Sequence, residues 1–267
     1  MNLRPAGIVA LLLASAGVPT GAQQPSLPAS KDAIAVSLAG QSLTALKGNL
    51  QIVDATLTGT VTRIVGSDVE TGAVTLMALG GSSSKVNLSL SNETRVEVRN
   101  KPANTDPEGA WIDASGSRQA YATHNCFTDA VWFLPTMSIL SQVANPNLIV
   151  TYVGRETKAG VAVHHLHFAI QTTFPDPSGL FASLSAEDIY LDVATFLPVA
   201  LTFNSHPDSD AGLNIPVEID FDNYQVVSGV RIPFRIQKFL NRSLYLDIIV
   251  QSAVLNSGLN DSLFTWN

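Results

Sequence analysis

The densest set of side chains capable of chemistry is the histidine-rich run VHHLH at residues 163–167. Successive side chains of a β-strand point to opposite faces, so His165 and His167 should share one face. Two imidazoles on one face can bind a transition metal when another histidine, such as His124 or His206, joins them. Because no cysteine or carboxylate stands at ligand spacing near the run, we predict neither a metal site nor a cofactor.

A second candidate is Cys126, the single cysteine of the chain, which stands two residues after His124. A histidine or a positive charge beside a thiol lowers the thiol pKa and makes it a nucleophile. A cysteine-dependent hydrolase would need a cleft, a histidine next to the thiol and a depressed thiol pKa. The other interpretation is a buried cysteine that packs in the core. We predict no catalytic residue and no enzyme activity.

The secondary structure that the sequence predicts is clearest in the last third of the chain. Residues from Asp188 to Phe264 have the pattern of one antiparallel meander. Three of its segments alternate apolar and polar residues, as half-buried strands do: 217–222, 230–239 and 244–250. Ser228 and Gly229 supply one tight turn, and residues 240–242 supply the next.

These turns predict a register for the apolar face of the meander. Phe221 should lie opposite Ile236. Across the next hairpin the predicted pairs are Ile236 with Leu246, Phe234 with Ile248, and Ile232 with Val250.

The other face of the meander carries charge. Arg235 should lie between Asp222 and Asp247, in a solvated cluster. Asn223 and Gln225 fit the apolar face badly and predict a bulge or an early strand end there. Pro233 lacks an N–H and predicts a bulge or a gap in the ladder at that point.

The remaining elements follow from apolar periodicity and from breaker residues. Helices are predicted at 31–47, with Asp32 as its cap and Gly48 as its end, and at 127–143, kinked near Pro135 and packed on the sheet. A short helical turn is predicted at 180–184. Further strands are predicted at 56–65, 73–79, 85–90, 95–99, 148–152 and 161–173. Turns or loops are predicted at 66–67, 70–72, 80–84, 100–109 and 174–177.

The N-terminus predicts export. Residues 1–22 have a charged start at Arg4, an apolar stretch at 7–18 and small residues before Gln23, which is typical of a cleaved signal peptide. Residues 23–30 predict a flexible tether, and 31–267 a single domain. Because no cysteine follows the apolar stretch, we expect no lipid anchor. The expected location is the periplasm or the exterior, with no integral membrane segment in the mature chain.

The charge and composition of the chain limit the kinds of partner that it can bind. The net charge is −7 and only 14% of the residues are charged, which disfavours binding to nucleic acid or to anionic membranes. The low charge content instead indicates a large internal apolar surface.

Three short patterns in residues 188–264 resemble the LolA-like superfamily, which includes lipoprotein carriers and RseB/MucB-type sensor domains. The first is DIYLD at 188–192, followed by Thr195 and the LPV at 197–199. The second is YQVVSGVRIP at 224–233. The third is the ending formed by Asn256, Leu259, Asp261 and Phe264.

The resemblance implies an α+β fold: an open, strongly curved antiparallel sheet, or half-barrel, with helices packed on its concave face. In the carriers, acyl chains lie between sheet and helices. It therefore implies a periplasmic carrier or sensor that binds a lipid, a lipoprotein acyl chain or another apolar ligand. Residues expected to line such a groove are Ile232, Phe234, Ile236, Leu246, Ile248 and Val250 on the sheet, with Trp132 and Phe133 as lid contacts.

Two alternatives remain open from the sequence. One is an envelope interaction module without a ligand, in which the same residues form an ordinary core and another envelope protein is the partner. The other is the hydrolase that would use Cys126.

Overall fold

The computed structural model of the chain describes residues 30–102, 105–172 and 176–266. The strands are β1 (Asp54–Val65), β2 (Asp68–Leu79), β3 (Ser83–Leu90), β4 (Thr94–Asn100), β5 (Glu108–Ile112), β6 (Arg118–Ala120), β7 (Leu148–Lys158), β8 (Val161–Ile170), β9 (Glu187–Asp192), β10 (Pro198–Ser205), β11 (Ile215–Val227), β12 (Val230–Leu240) and β13 (Ser243–Leu255). The α-helices are α1 (Ala33–Lys47) and α2 (Leu180–Leu184). Short 3₁₀ helices span Thr123–Cys126, Pro135–Met137, Ile139–Gln142 and Asp261–Phe264. The predicted signal peptide, almost all of the tether and the first half of the turn at 174–177 lie outside the described residues.

All thirteen strands form one antiparallel sheet in the order β6-β5-β4-β3-β2-β1-β13-β12-β11-β10-β9-β8-β7. Neighbours in sequence are neighbours in the sheet, except for β6 and β7, and the pairing of β1 with β13 joins an N-terminal meander to a C-terminal one. The sheet does not close, because β6 and β7 lie at its two opposite edges. The predicted α+β half-barrel is therefore confirmed.

This strand order dictates where the segment between β6 and β7 must run. Residues 121–147, which we call the strap, connect one edge of the sheet to the other and cross its concave face. The strap side chains join the same core as the inward-facing residues of the strands and α1. The largest apolar core of the molecule thus lies between the sheet and the strap.

Helix α1 begins and ends as its sequence predicts. The Asp32 carboxylate accepts the N–H of Ile34 at 2.7 Å and of Ala35 at 3.3 Å. Gly48 follows the helix at a positive φ of 54°, a backbone conformation that glycine adopts without strain. The buried face of α1, which includes Leu38 and Leu46, packs on β12 and on the strap.

Pro233 marks a real gap in the ladder. The pairing of β12 with β13 begins at Arg235, whereas β12 pairs with β11 from Val230 onward. Beside the unpaired start of β12 lies α1, and Arg231 Nη1 donates to the Ala45 carbonyl at 2.8 Å. Because β13 does not pair with this part of β12, the missing backbone N–H of Pro233 removes no hydrogen bond between these strands.

The predicted register is right on one side of β12 and wrong on the other. Phe221 faces Ile236 as expected. Ile236, however, faces Ile248 rather than Leu246, a displacement of two residues. The predicted pairs of Ile232 and Phe234 do not form, because the pairing of β12 with β13 begins only at Arg235. The cause of the displacement is a two-residue turn at Asn241 and Arg242 followed by a bulge after Lys238. Because the displacement is even, every side chain keeps its predicted face.

The same displacement changes the contacts on the charged face of the meander. Arg235 pairs with Asp222, and its guanidinium reaches Asp247 diagonally with N–O distances of 3.1 and 2.9 Å. The bulge or early strand end expected at Asn223 does not occur, because β11 continues in register to Val227. Asn223 instead takes a positive φ of 53°, which asparagine tolerates better than most residues.

The turn between β12 and β13 gives a prediction. Asn241 and Arg242 both have positive φ, 47° and 66°, as a type I′ turn requires, and arginine is strained there. We expect Arg242→Gly to raise the free energy of unfolding by about 0.5 kcal/mol in urea titrations, because the relief of strain exceeds the added entropy of the unfolded chain. Asn241→Gly, the matched control, should change it less. A loss of stability in Arg242→Gly would contradict this account.

Other predicted elements differ from the structure. Residues 70–72 are not a turn but part of β2, which pairs without interruption from Asp68 to Leu79. Strands β5 and β6 were not predicted, and β5 begins inside the expected polar loop. The helix expected at 127–143 is absent: the segment consists of turns and short 3₁₀ helices, although its apolar residues are buried on the sheet as expected.

The first of the LolA-like patterns, at 188–199, forms the corner between β9 and β10, and local hydrogen bonds explain its residues. Asp192 Oδ1 accepts the N–H groups of Ala194 and Thr195 and the Thr195 hydroxyl, at 2.7 to 2.9 Å. The Tyr224 hydroxyl donates to the Pro198 carbonyl at 2.8 Å and ties β11 to the same corner. These bonds explain why aspartate, threonine and tyrosine stand at those positions.

Candidate ligand-binding site

The strap covers the concave face with apolar side chains. All ten residues from 131 to 140 are buried. The largest of them, Trp132 and Phe133, are at most 1% exposed and meet edge to face with ring centroids 5.5 Å apart. The space that a ligand would occupy between sheet and lid is therefore filled, in this conformation, by the protein itself.

The centre of the strap lies between polar groups of both arms of the sheet. Buried Arg99 on β4 donates from Nη1 to the Asp129 carbonyl at 3.0 Å and from Nη2 to the Thr128 carbonyl at 2.7 Å. On the opposite arm, the Glu187 carboxyl of β9 lies close to the Asp129 backbone N–H, which lowers the pKa of Glu187 against the effect of burial. The strap is thus fixed at its centre by the Arg99 cation and approached from the other side by an acid.

The Asp129 side chain organises the strap internally. Its two carboxyl oxygens accept the N–H of Val131 at 3.0 Å and of Ile139 at 2.8 Å. These two bonds bridge the turns on both sides of Pro135 and replace the hydrogen bonds of the predicted helix. Burial raises the pKa of Asp129 to about 6, although both N–H groups and Arg99 oppose the shift.

Glu187 is the most deeply buried acid of this cluster, at 1% exposure. Burial raises the pKa of its carboxyl well above the usual value, and the neighbouring charge of Asp129 raises it further. Its Oε2 has no hydrogen-bond partner within the described part of the chain, and neither does Nε of Arg99. Two polar atoms are therefore free for hydrogen bonding beneath the strap.

A cavity of about 180 Å³, which we call the acid cavity, opens beside this cluster. Its inner wall contains Arg99, Asp129 and Glu187. Apolar side chains of the strap and of the region around β8 and α2 form much of the rest: Cys126, Phe127, Ala130, Ile139, Ile170 and Phe181. The rings of Phe127 and Phe181 lie 4.4 Å apart, centroid to centroid.

A second cavity of about 220 Å³ lies on the other side of the strap, toward β10–β12. Trp132, His206 and Lys238 line it. Trp132 Nε1 and His206 Nε2 are buried without a partner in the described ranges, and the Lys238 ammonium lies 4.4 Å from the centre of the Trp132 ring. The strap therefore separates two cavities, and each is lined by residues that carry a buried polar atom without a partner in the described ranges.

The predicted groove residues all lie in the core. Ile232, Phe234, Ile236, Leu246, Ile248 and Val250 are at most 8% exposed, like Trp132 and Phe133 on the strap. Trp132 borders the second cavity, and none of the eight residues borders the acid cavity. Their role in ligand binding remains a prediction that requires movement of the strap.

Sequence reasoning missed Arg99, Asp129 and Glu187. The period-two pattern of β9 contained a signal, since Glu187 shares a face with Ile189 and Leu191, both buried. A carboxylate on an apolar face requires a partner or a function. Its partners come from β4 and from the strap, which no local pattern connects to β9.

The residues proposed for thiol chemistry are not arranged for it. Cys126 is buried, its thiol contacts the Ala122 carbonyl at 4.0 Å, and burial raises its pKa. His124 instead bonds through Nε2 to the Pro207 carbonyl at 3.1 Å. A raised thiol pKa is the opposite of what the hydrolase hypothesis requires.

His165 and His167 share the convex face, as predicted, but their neighbours are acids. Asp188 on the adjacent strand bonds to both, at 2.9 Å each, and Glu156 bonds to the other nitrogen of His165 at 2.8 Å. Among the described residues no group of histidines, cysteines and carboxylates has the geometry of a metal site. His124 and His206 lie together elsewhere, with ring centroids 5.9 Å apart.

This histidine–aspartate cluster predicts a pH dependence. Burial alone would raise the pKa of Asp188, but hydrogen bonds from His165 and His167 outweigh it and lower the pKa to about 2. In the unfolded chain this carboxyl titrates near pH 3.9. The stability that the Asp188 carboxylate gives to the folded state is therefore fully present above about pH 4 and is lost as the pH falls through 2. Asp188→Asn should lower the free energy of unfolding, measured by urea titration, by about 1 kcal/mol at pH 7. The free energy of unfolding of this variant should also fall less steeply as the solution is made more acidic.

The control for this prediction is Asp68→Asn, which changes an exposed aspartate of β2. The free energy of unfolding of this variant should stay within about 0.5 kcal/mol of that of the parent chain. Equal losses in both variants would show that the two histidines do not stabilise the Asp188 carboxylate.

Comparison with solved structures places this architecture among LolA-like folds. A protein domain from Vibrio parahaemolyticus assigned to outer membrane lipoprotein sorting has a TM-score of 0.54 at 12% identity, covering 86% of this chain and 96% of its own. A DUF1329 family protein from Desulfovibrio piger has a TM-score of 0.54 at 11% identity, covering 87% and 96%. A LolA superfamily protein from Nitrosomonas europaea has a TM-score of 0.50 at 11% identity, covering 86% and 97%.

The chain thus has the LolA-like fold, and the likeness extends over nearly the whole of each compared structure. No family model matches the sequence, and a search of curated proteins also finds no match. In the described ranges, no helix is both long and apolar enough to cross a bilayer.

Proposed function

We propose that this protein binds a lipid, a lipoprotein acyl chain or another apolar ligand between its sheet and its strap, as a carrier or sensor of the cell envelope. The observation that carries the proposal is the construction of the lid. An apolar concave face is covered by a strap of short turns, which is flanked by two cavities and held at its centre by Arg99.

Ligand entry would require the strap to move, because the cavities of about 180 and 220 Å³ are separate and the sheet–strap interface is filled. Such movement is common in sites that close over a ligand. Each buried methylene contributes about 0.8 kcal/mol, so a long acyl chain can offset the loss of several strap contacts.

The proposal includes the organisation inferred from the sequence. Residues 1–22 would direct export and be removed, 23–30 would form a tether, and 31–267 would be the single binding domain. The location would be the periplasm or the exterior. The partners would be the apolar ligand or a lipoprotein and, for a sensor, a second envelope protein.

The direct test is chemical. The mature protein is purified from a bacterial host that exports it, extracted with organic solvent, and the extract is analysed by mass spectrometry. A stoichiometric acyl compound would support the carrier or sensor function. A clean extract, with no thermal shift on adding fatty acids or lipopeptides, would favour the ligand-free interaction module.

A matched pair of variants locates the binding. Ala130 on the strap borders the acid cavity and is 8% exposed, so Ala130→Leu fills space that a ligand needs. Ala162→Leu makes the same change on the exposed face of β8. Only Ala130→Leu should reduce the amount of bound acyl compound; equal binding in both variants would place the ligand elsewhere.

A further inference from the structure

Glu187 is an acid without a sufficient set of partners, in a position where a ligand could supply one. It is 1% exposed, lines the acid cavity and leaves Oε2 unpartnered within the described residues. An unsatisfied buried polar atom of this kind destabilises the fold, so its retention calls for an explanation.

The other charged groups around the acid cavity are occupied or lie at its rim. Asp129 accepts two backbone N–H groups, and both Nη atoms of Arg99 donate to strap carbonyls. Lys101, Asp106 and Glu108 line the outer part of the cavity, where two acids stand with one lysine. Among the residues of the inner wall, Oε2 of Glu187 and Nε of Arg99 are buried atoms without a hydrogen-bond partner in the described ranges, so a new partner would reach them only through a small shift of these side chains.

We propose that the acid cavity binds the uncharged oxygen of an acyl ester, amide or alcohol, with Glu187 donating a hydrogen bond to it, and that it rejects a free carboxylate. This inference rests on the proposed function and specifies its ligand class. Apolar contacts with Phe127, Ile139 and Ile170 would hold the adjoining hydrocarbon.

The protonation of Glu187 fits this role. Burial and the adjacent Asp129 raise the pKa of Glu187 well above the usual range, so the neutral acid is favoured. A neutral carboxyl has one O–H donor, and its partner should be an acceptor without a full negative charge. The charge of Arg99 is already balanced by that of Asp129, so an anionic ligand would add an unbalanced negative charge to a poorly solvated wall, which is costly.

The test compares two probes with the same hydrocarbon chain, N-methyldecanamide and decanoate, by calorimetric titration at pH 7.5. The parent protein should bind the amide at least tenfold more tightly than the anion. Glu187→Gln retains a donor and should preserve the preference, whereas Glu187→Leu should reduce it about three- to tenfold. Thermal unfolding of each variant shows that it is folded.

A spectroscopic measurement on the parent protein serves if Glu187→Leu does not fold. The carbonyl stretching band of a protonated carboxylic acid should shift on addition of N-methyldecanamide, and this band should be absent from Glu187→Gln. No shift on binding of the amide would overturn the inference.

The outcomes separate this inference from the proposed function. Binding of both probes with equal affinity, or a preference that Glu187→Leu leaves unchanged, would overturn the assignment of Glu187 while leaving apolar binding intact. That result would indicate that an ordinary water satisfies Oε2. Binding of neither probe, together with a clean solvent extract, would overturn both.

Discussion

Replacing Arg99 with methionine should lower the free energy of unfolding by about 3 kcal/mol, because two buried hydrogen bonds from a charged donor are lost. The Thr128 and Asp129 carbonyls would lose their donor, and Asp129 and Glu187 would lose the positive charge that opposes the rise in their pKa. Methionine fills similar space, so packing changes are minimised. Urea unfolding measures the loss, and amide hydrogen exchange at Val131 and Ile139 should accelerate if the strap is released.

The control for this variant is Arg95→Met on the same strand. Arg95 is partly exposed, and its guanidinium lies 4.6 Å from the centre of the Trp111 ring. A cation over an aromatic ring at such a site contributes about 0.5–1 kcal/mol. If Arg99→Met costs no more than Arg95→Met, the strap is not held by Arg99, and the account of the lid is wrong.

Phe133→Ala should cost about 3–5 kcal/mol, because a fully buried aromatic side chain is removed from the interface of sheet and strap. The loss includes the edge-to-face contact with Trp132 and the creation of a void. Thermal and urea unfolding would report it. The same change at partly exposed Phe127, which borders the acid cavity, should cost clearly less.

The comparison also bears on function. If the strap opens to admit a ligand, Phe133→Ala should increase the affinity for apolar probes such as N-methyldecanamide, since less of the filled interface must be disrupted. A destabilised variant with unchanged or weaker probe binding would indicate that Phe133 is only a core residue and that the lid does not open there.

Some features of the sheet could be predicted because they depend on short stretches of chain. Alternation with period two identified β11, β12 and β13 and assigned their faces correctly. The register of β12 with β13 could not be predicted, because the shorter turn and the bulge after Lys238 together displace the pairs by two residues and so leave the alternation of faces intact. Pro233 was informative since the absence of an N–H is a local property.

The strap shows the opposite case. Its apolar residues predicted burial correctly, but the predicted helix was wrong, because several of its backbone groups bond to the Asp129 side chain and to Arg99 instead. Strands β5 and β6 were missed for a related reason: they have only five and three residues, and they are defined by the pairing of β5 with β4 and of β6 with β5.

The sequence by itself therefore determined the fold class, the antiparallel meander and its two faces, since local alternation and turn residues encode them. Only the tertiary structure decided that the strap fills the concave face and that Arg99, Asp129 and Glu187 meet beneath it. These three residues come from β4, the strap and β9, and no periodicity links them. Their proximity follows from the crossing between opposite edges of one open sheet, a consequence of topology that only the folded chain displays.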